Sequence, residues 1–165
     1  MTTLVPFLVF CQAFGALVGA STAVWSELSY IRAMRDGKID VAERKHLDII
    51  SHGLRYGMTI FLLASLGLVV SAYINNNSPQ PALTPSYWTA IAIALIIITV
   101  AWALSRKRLS FNLASAALFT SWWFLVYLSF GWLSLSFGSA VMSFVVTAGI
   151  FYGLLYYVRL FASKR

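Results

Sequence analysis

Acidic residues are scarce in this chain. Five Asp and Glu stand against twelve Lys and Arg in 165 residues, and four of the five (Asp36, Asp40, Glu43 and Asp48) crowd into one short island. No carboxylate follows Asp48, so a carboxylate acid–base pair is confined to the first third of the chain. Charged residues of both signs make up only 10%, against roughly 25% in soluble domains. There is one cysteine, Cys11, inside an apolar run. An intrachain disulfide is impossible, and the thiol reads as a small buried hydrophobe. No GxSxG, HExxH, CxxC or Walker loop occurs, and with these absences an enzyme is the weakest class. Basic residues sit at the ends of apolar runs and form no stripe interleaved with aromatics, which argues against a nucleic-acid partner.

Apolar length is abundant. Hydrophobic residues make up 60% of the chain and mean hydropathy is +0.80. A chain this short cannot hide so much apolar surface in a water-soluble core, so the lipid bilayer is the expected partner. Residues 4–25 carry no charge, long enough to span, since about 20 helical residues cross the hydrocarbon. Positive charge follows this run instead of preceding it, unlike a cleaved secretory leader, and a retained first helix is expected. Thr84-Pro85 is a helix start, with a capping hydroxyl and proline at the first helical position. Residues 109–158 run without a charged side chain, too far for one span, and Gly131 and Gly138 divide them. The fold expected is an all-α polytopic integral membrane bundle of five transmembrane helices in a single domain. The spans run over about 4–30, 51–74, 86–105, 110–130 and 138–159, with a helical hairpin at about 31–50.

The basic residues orient this bundle. Arg32, Arg35, Lys38, Arg44 and Lys45 lie between spans one and two, and Arg106, Lys107 and Arg108 between three and four. Arg159, Lys164 and Arg165 close the chain, while the loops 75–85 and 131–137 hold no charge. With five spans every cluster falls on one side, which the positive-inside rule makes cytoplasmic: N-out, C-in, in an inner or plasma membrane. Trp88 and Trp132 then belong to the outer interface, and Trp102, Tyr156 and Tyr157 to the inner one.

The island Arg32–His46 resembles a calcium loop only in part. Asp36-Gly37, Ile39 and Glu43 match the spacing, but Arg32 and Met34 stand where oxygen ligands are needed. A turn at Asp36-Gly37 fits better, followed by a helix capped by Asp40 and Glu43 that runs unbroken from about Val41 to Ile74. Span one is expected to continue to about Met34.

Polar groups at the membrane edge of this hairpin are the site candidates. Asp48, His52 and Arg55 share one helix side, and Glu27, at the inner end of span one, is the natural ion-pair partner of Arg55. Ionisable groups inside spans are paired, face water or mark a pathway. Small residues mark packing faces: Gly15, Gly19 and Ala23 in span one, Gly149 and Gly153 in span five. Trp122-Trp123 reads as packing, and Asn112 as a cap or an interhelical hydrogen-bonding group. Too few helices and buried polar groups exist for a large private cavity, so a homo-oligomer or a membrane complex partner is expected.

Three functions fit. The first is a channel or transporter, or a subunit of one, for a proton, ion or small solute, gated by Glu27, His52, Arg55 and Asp48. The second is a scaffold docking a cytoplasmic partner. The third is a b-type haem protein using His52, either from two copies or with Met58 or Met142 as second ligand. No metal or other cofactor is expected.

Overall fold

The computed structural model describes residues 4–35, 39–75, 83–131 and 136–163. The Asp36-Gly37 turn, Trp132 and the side chains of Asp40 and Glu43 lie outside the described residues. Among those described there is no strand. Helix α1 spans Leu4–Arg35, α2 Ile39–Gly53, α3 Thr59–Ile74, α4 Pro85–Ser105, α5 Phe111–Ser129 and α6 Phe137–Ser163. A π-helical turn, Leu54–Met58, joins α2 to α3, and Gly53, Met58 and Thr59 all keep right-handed helical dihedrals. The rod expected over 41–74 is therefore continuous, but its hydrogen-bond ladder changes pitch midway. Five stretches are long and apolar enough to cross a membrane: Leu4–Arg32, Arg44–Ile74, Pro85–Ser105, Phe111–Ser129 and Phe137–Ala162.

Close backbone approach explains the π turn. A Cβ on Gly57 would stand 2.8 Å from the Gly15 carbonyl oxygen, and one on Gly15 would stand 2.7 Å from the Phe61 nitrogen. A Cβ on Gly53 would strike the Thr22 hydroxyl, and one on Gly19 the Trp122 ring. Gly15 and Gly19 thus interlock with Gly53 and Gly57, a second small-residue pair on the facing helix. The wide turn falls between Gly53 and the end of this contact, where the rod must keep both glycines against α1. Ala16, Ala20 and Ala23 continue the small face of α1 and are buried, and around them Phe61, Ile97, Leu118, Trp122 and Leu125 form the core.

The last helix is held differently. Of its described side chains only Ala140 and Arg159 are buried, near its two ends. Among the described residues no atom of a neighbouring element comes within 4 Å of a Cβ position on Gly149 or Gly153, so the packing face expected there is open. The inward stripe runs instead through Ala140, Phe144, Ala148, Phe151 and Leu155. Elsewhere the exterior is covered by large apolar side chains, among them Phe7, Phe10, Leu63, Leu66, Val145 and Phe161.

Helix ends follow local chemistry. Thr84 caps α4, its hydroxyl accepting from the Tyr87 amide at 3.4 Å, with Pro85 at the first helical position. At the other end of α4, Lys107 has φ +54°. Its amide donates to the Leu104 carbonyl (3.0 Å) and the Arg108 amide to the Ala103 carbonyl (2.9 Å). This is the Schellman arrangement, which ordinarily places glycine at the left-handed position. The end of α5 has that glycine: Gly131, φ +68°, donates to the Leu128 carbonyl at 3.0 Å. A lysine in this conformation costs about 1–2 kcal/mol.

Two outcomes follow for unfolding in detergent. Gly15→Ala should lose about 1–3 kcal/mol through overpacking, whereas Gly149→Ala should be neutral or gain up to about 1 kcal/mol; equal effects would contradict the packing described. Lys107→Gly should raise stability by roughly 1 kcal/mol as the left-handed strain is relieved, and a loss would show that the turn is unstrained.

Candidate functional site

Four helices bring one buried polar cluster together at the basic end of the bundle. Glu27 comes from α1, His46 from α2, Asn112 and Ser115 from the first turns of α5, and Arg159 from α6. The last helix turns its Ala140–Phe144–Ala148–Phe151–Leu155 stripe inward, and Arg159 is the next residue in that register. A four-residue step keeps a side chain on the same helix face, so Arg159 points into the bundle.

The Arg159 guanidinium is saturated on one side. Its Nη2 donates to Glu27 Oε2 and to Ser115 Oγ, both at 2.7 Å, and its Nη1 donates to Asn112 Oδ1 at 2.7 Å. The Ser115 hydroxyl in turn donates to the Asn112 backbone carbonyl at 3.2 Å. The cation also lies 4.9 Å from the Tyr30 ring centroid and 5.1 Å from that of Phe111, within cation–π range. Glu27 and Arg159 are each 5% exposed. Short charge-assisted hydrogen bonds are what make such a buried pair tolerable, because desolvating two ions is expensive.

The other half of the cluster is less complete. His46 is fully buried and packs edge-on against Tyr30 and Phe111, at ring-centroid distances of 5.9 and 4.8 Å. Its Nε2 lies 3.9 Å from Glu27 Oε1, too long for a direct hydrogen bond. The Ser26 carbonyl lies near the ring but outside ordinary hydrogen-bond geometry. Among the described residues, Glu27 Oε1, both His46 nitrogens and Arg159 Nε are buried without a hydrogen bond. Leaving a buried polar group unpaired costs about 1–3 kcal/mol. The arrangement is thus a carboxylate with one oxygen bound by a cation and the other facing an imidazole at 3.9 Å.

The sequence-predicted residues divide sharply. Glu27 is central. Asp48, His52 and Arg55 do share one side of the rod with Arg44, but that side is exposed. His52 is tied locally, its Nδ1 2.8 Å from the Asp48 carbonyl oxygen and 3.8 Å from Asp48 Oδ1. The pairing of Glu27 with Arg55 is replaced by Glu27 with Arg159, because the rod turns His46, Ile50, Gly53 and Gly57 toward α1 and Arg55 away. Of the methionines considered as second haem ligands to His52, Met58 is buried on the other side of the rod and Met142 belongs to the uncharged end. Among the described residues no group of three His, Cys, Asp or Glu could hold a metal.

Sequence reasoning missed His46 and treated Arg159 as a chain-end anchor. A signal for each was present. His46 shares the Ile50–Gly53–Gly57 register, and Arg159 is followed by Leu160-Phe161-Ala162, so it stands within an apolar helix. Comparison with known protein families, with characterised proteins and with solved structures finds no match for this chain.

Removing one partner should be severe. Glu27→Gln or Arg159→Leu is expected to cost about 3–5 kcal/mol in detergent unfolding. Combining the two should cost less than their sum, because no unpaired ion is left. Strict additivity would contradict a direct pair.

Proposed function

We propose that this chain is an integral multi-pass membrane protein, N-out and C-in, that passes a proton, ion or small solute, with the Glu27–His46–Arg159 cluster as its inner gate. Five apolar helices and an apolar exterior support membrane residence, and the one-sided placement of Lys and Arg supports the orientation. A single observation carries the gate: Glu27 Oε1 faces His46 Nε2 at 3.9 Å, and neither is hydrogen-bonded. Ionisable groups at membrane depth are costly, and their presence there favours a working role over a packing one.

The chemistry would run through competition for one carboxylate. With His46 neutral, Glu27 belongs to Arg159. A proton on His46 places a second cation beside Glu27 and draws the carboxylate across the gap, weakening its hold on Arg159. Arg159 is the buried residue near the basic end of α6, so loosening it frees that end of the helix. Histidine suits this role because its imidazole can either carry the proton or do without it.

An accessory-subunit reading is favoured by one observation, the open Gly149 face of α6, which suits a neighbouring helix in a complex. Flux separates the two. In proteoliposomes loaded with pH- and ion-sensitive dyes, the parent should conduct, and Glu27→Gln or His46→Phe should reduce flux at least about tenfold. His52→Ala, on the exposed face, should stay near the parent rate. A parent without flux, or variants that conduct like it, would sink the gate.

A further inference from the structure

Away from the buried cluster, α2 and α4 leave a groove of about 560 Å³ at the basic end. Its walls are apolar, with Leu47 from α2, Leu54 from the π turn that follows it, and Ile98 and Trp102 from α4; Arg44, Asp48, Ser51 and Ser105 supply its polar side. The Trp102 ring, half exposed, carries two cations: Arg106 Cζ lies 5.8 Å and Arg108 Cζ 5.1 Å from its centroid. Arg44 lines the groove itself, and Arg106 and Arg108 flank the Trp102 ring that forms part of its wall. Asp48 is the one described carboxylate on the groove, and its oxygen lies 3.8 Å from His52. Among the described residues, no carboxylate comes within ion-pair distance of Arg44, Arg106 or Arg108.

Arg106 and Arg108, gathered on one ring, repel one another, and here the backbone assists their gathering. The turn that folds Arg106 and Arg108 over Trp102 passes through Lys107 in the left-handed region, where the equivalent turn at the uncharged end uses Gly131. Strained backbone that persists in a native fold is a pointer to a working role. A lysine there adds a fourth cation where glycine would fit more easily.

We propose that this groove holds an anionic glycerophospholipid of the inner leaflet. The apolar walls take an acyl chain, Trp102 sits at the glycerol level, and Arg44, Arg106 and Arg108 hold the phosphate. Arginine forks match phosphate oxygens two at a time, and basic pockets between membrane helices on the cytoplasmic side suit acidic headgroups. Charge complementarity and the apolar walls together select a lipid over a free anion, which has no use for Leu47, Leu54 or Ile98. The proposal rests on the membrane reading and its orientation but not on transport, so a protein without flux leaves it standing.

Tryptophan quenching tests it with the full chain in phosphatidylcholine vesicles. These are doped with brominated-chain phosphatidylglycerol or, at the same mole fraction, brominated-chain phosphatidylcholine. The anionic lipid should quench several-fold more strongly at low mole fraction. That preference should vanish in Trp102→Phe, which removes the reporting ring conservatively, and in the triple variant Arg44→Ala/Arg106→Ala/Arg108→Ala. Inorganic phosphate should leave it unchanged. Equal quenching by the two lipids, a preference that survives Trp102→Phe, or one abolished by inorganic phosphate would each overturn the proposal.

Discussion

The bundle depends on one buried ion pair. Glu27 and Arg159 stand 132 positions apart and meet at 2.7 Å, joining the first and last helices where neither has much else to offer the other. Arg159 also binds Asn112 and Ser115 at the start of α5. One guanidinium thus organises three helices, while His46 brings in the fourth through Tyr30 and Phe111. A pair like this gives little net stability against well-packed hydrophobes of the same volume. What it supplies is a defined arrangement, since every alternative leaves an ion alone in an apolar interior.

The uncharged end and the middle of the bundle follow a different rule, steric and not electrostatic. Gly15, Gly19, Gly53 and Gly57 let two backbones touch, and Trp122 fills the space beside Gly19. In lipid there is little hydrophobic drive between helices, so close packing of small surfaces takes its place. The π turn at Leu54–Met58 belongs to this contact. Below it the rod presents His46 inward and Asp48, His52 and Arg55 outward, and the chemistry of the basic end depends on that division.

Two features at the basic end thereby gain distinct characters. The buried cluster has unmade hydrogen bonds and a carboxylate between an arginine and a histidine, the features on which the proposed gate rests. The groove beside Trp102 has apolar walls and arginines that no described carboxylate pairs, which suits the acidic lipid proposed for it. They lie on opposite sides of α2, one facing α1 and the other facing α4, so each can be altered without touching the other.

The helical class and the five apolar stretches were legible in the sequence, because span length and charge-free runs are properties of consecutive residues. The Thr84-Pro85 start of α4 was legible for the same reason, a cap being a contact between near neighbours. Glu27 stood out as a lone carboxylate in an apolar run. Its partner did not, because the choice between Arg55 and Arg159 turns on which way a distant helix rotates. Spacing of four and three correctly grouped Asp48, His52 and Arg55 on one side, but spacing cannot say whether that side faces core or exterior. Only the packing of α1 against Gly53 and Gly57 decided it, by turning His46 inward and His52 out. Sequence alone determined what each helix is made of; the tertiary structure decided which face of each is inside, because that is set by the fit of neighbours far away along the chain.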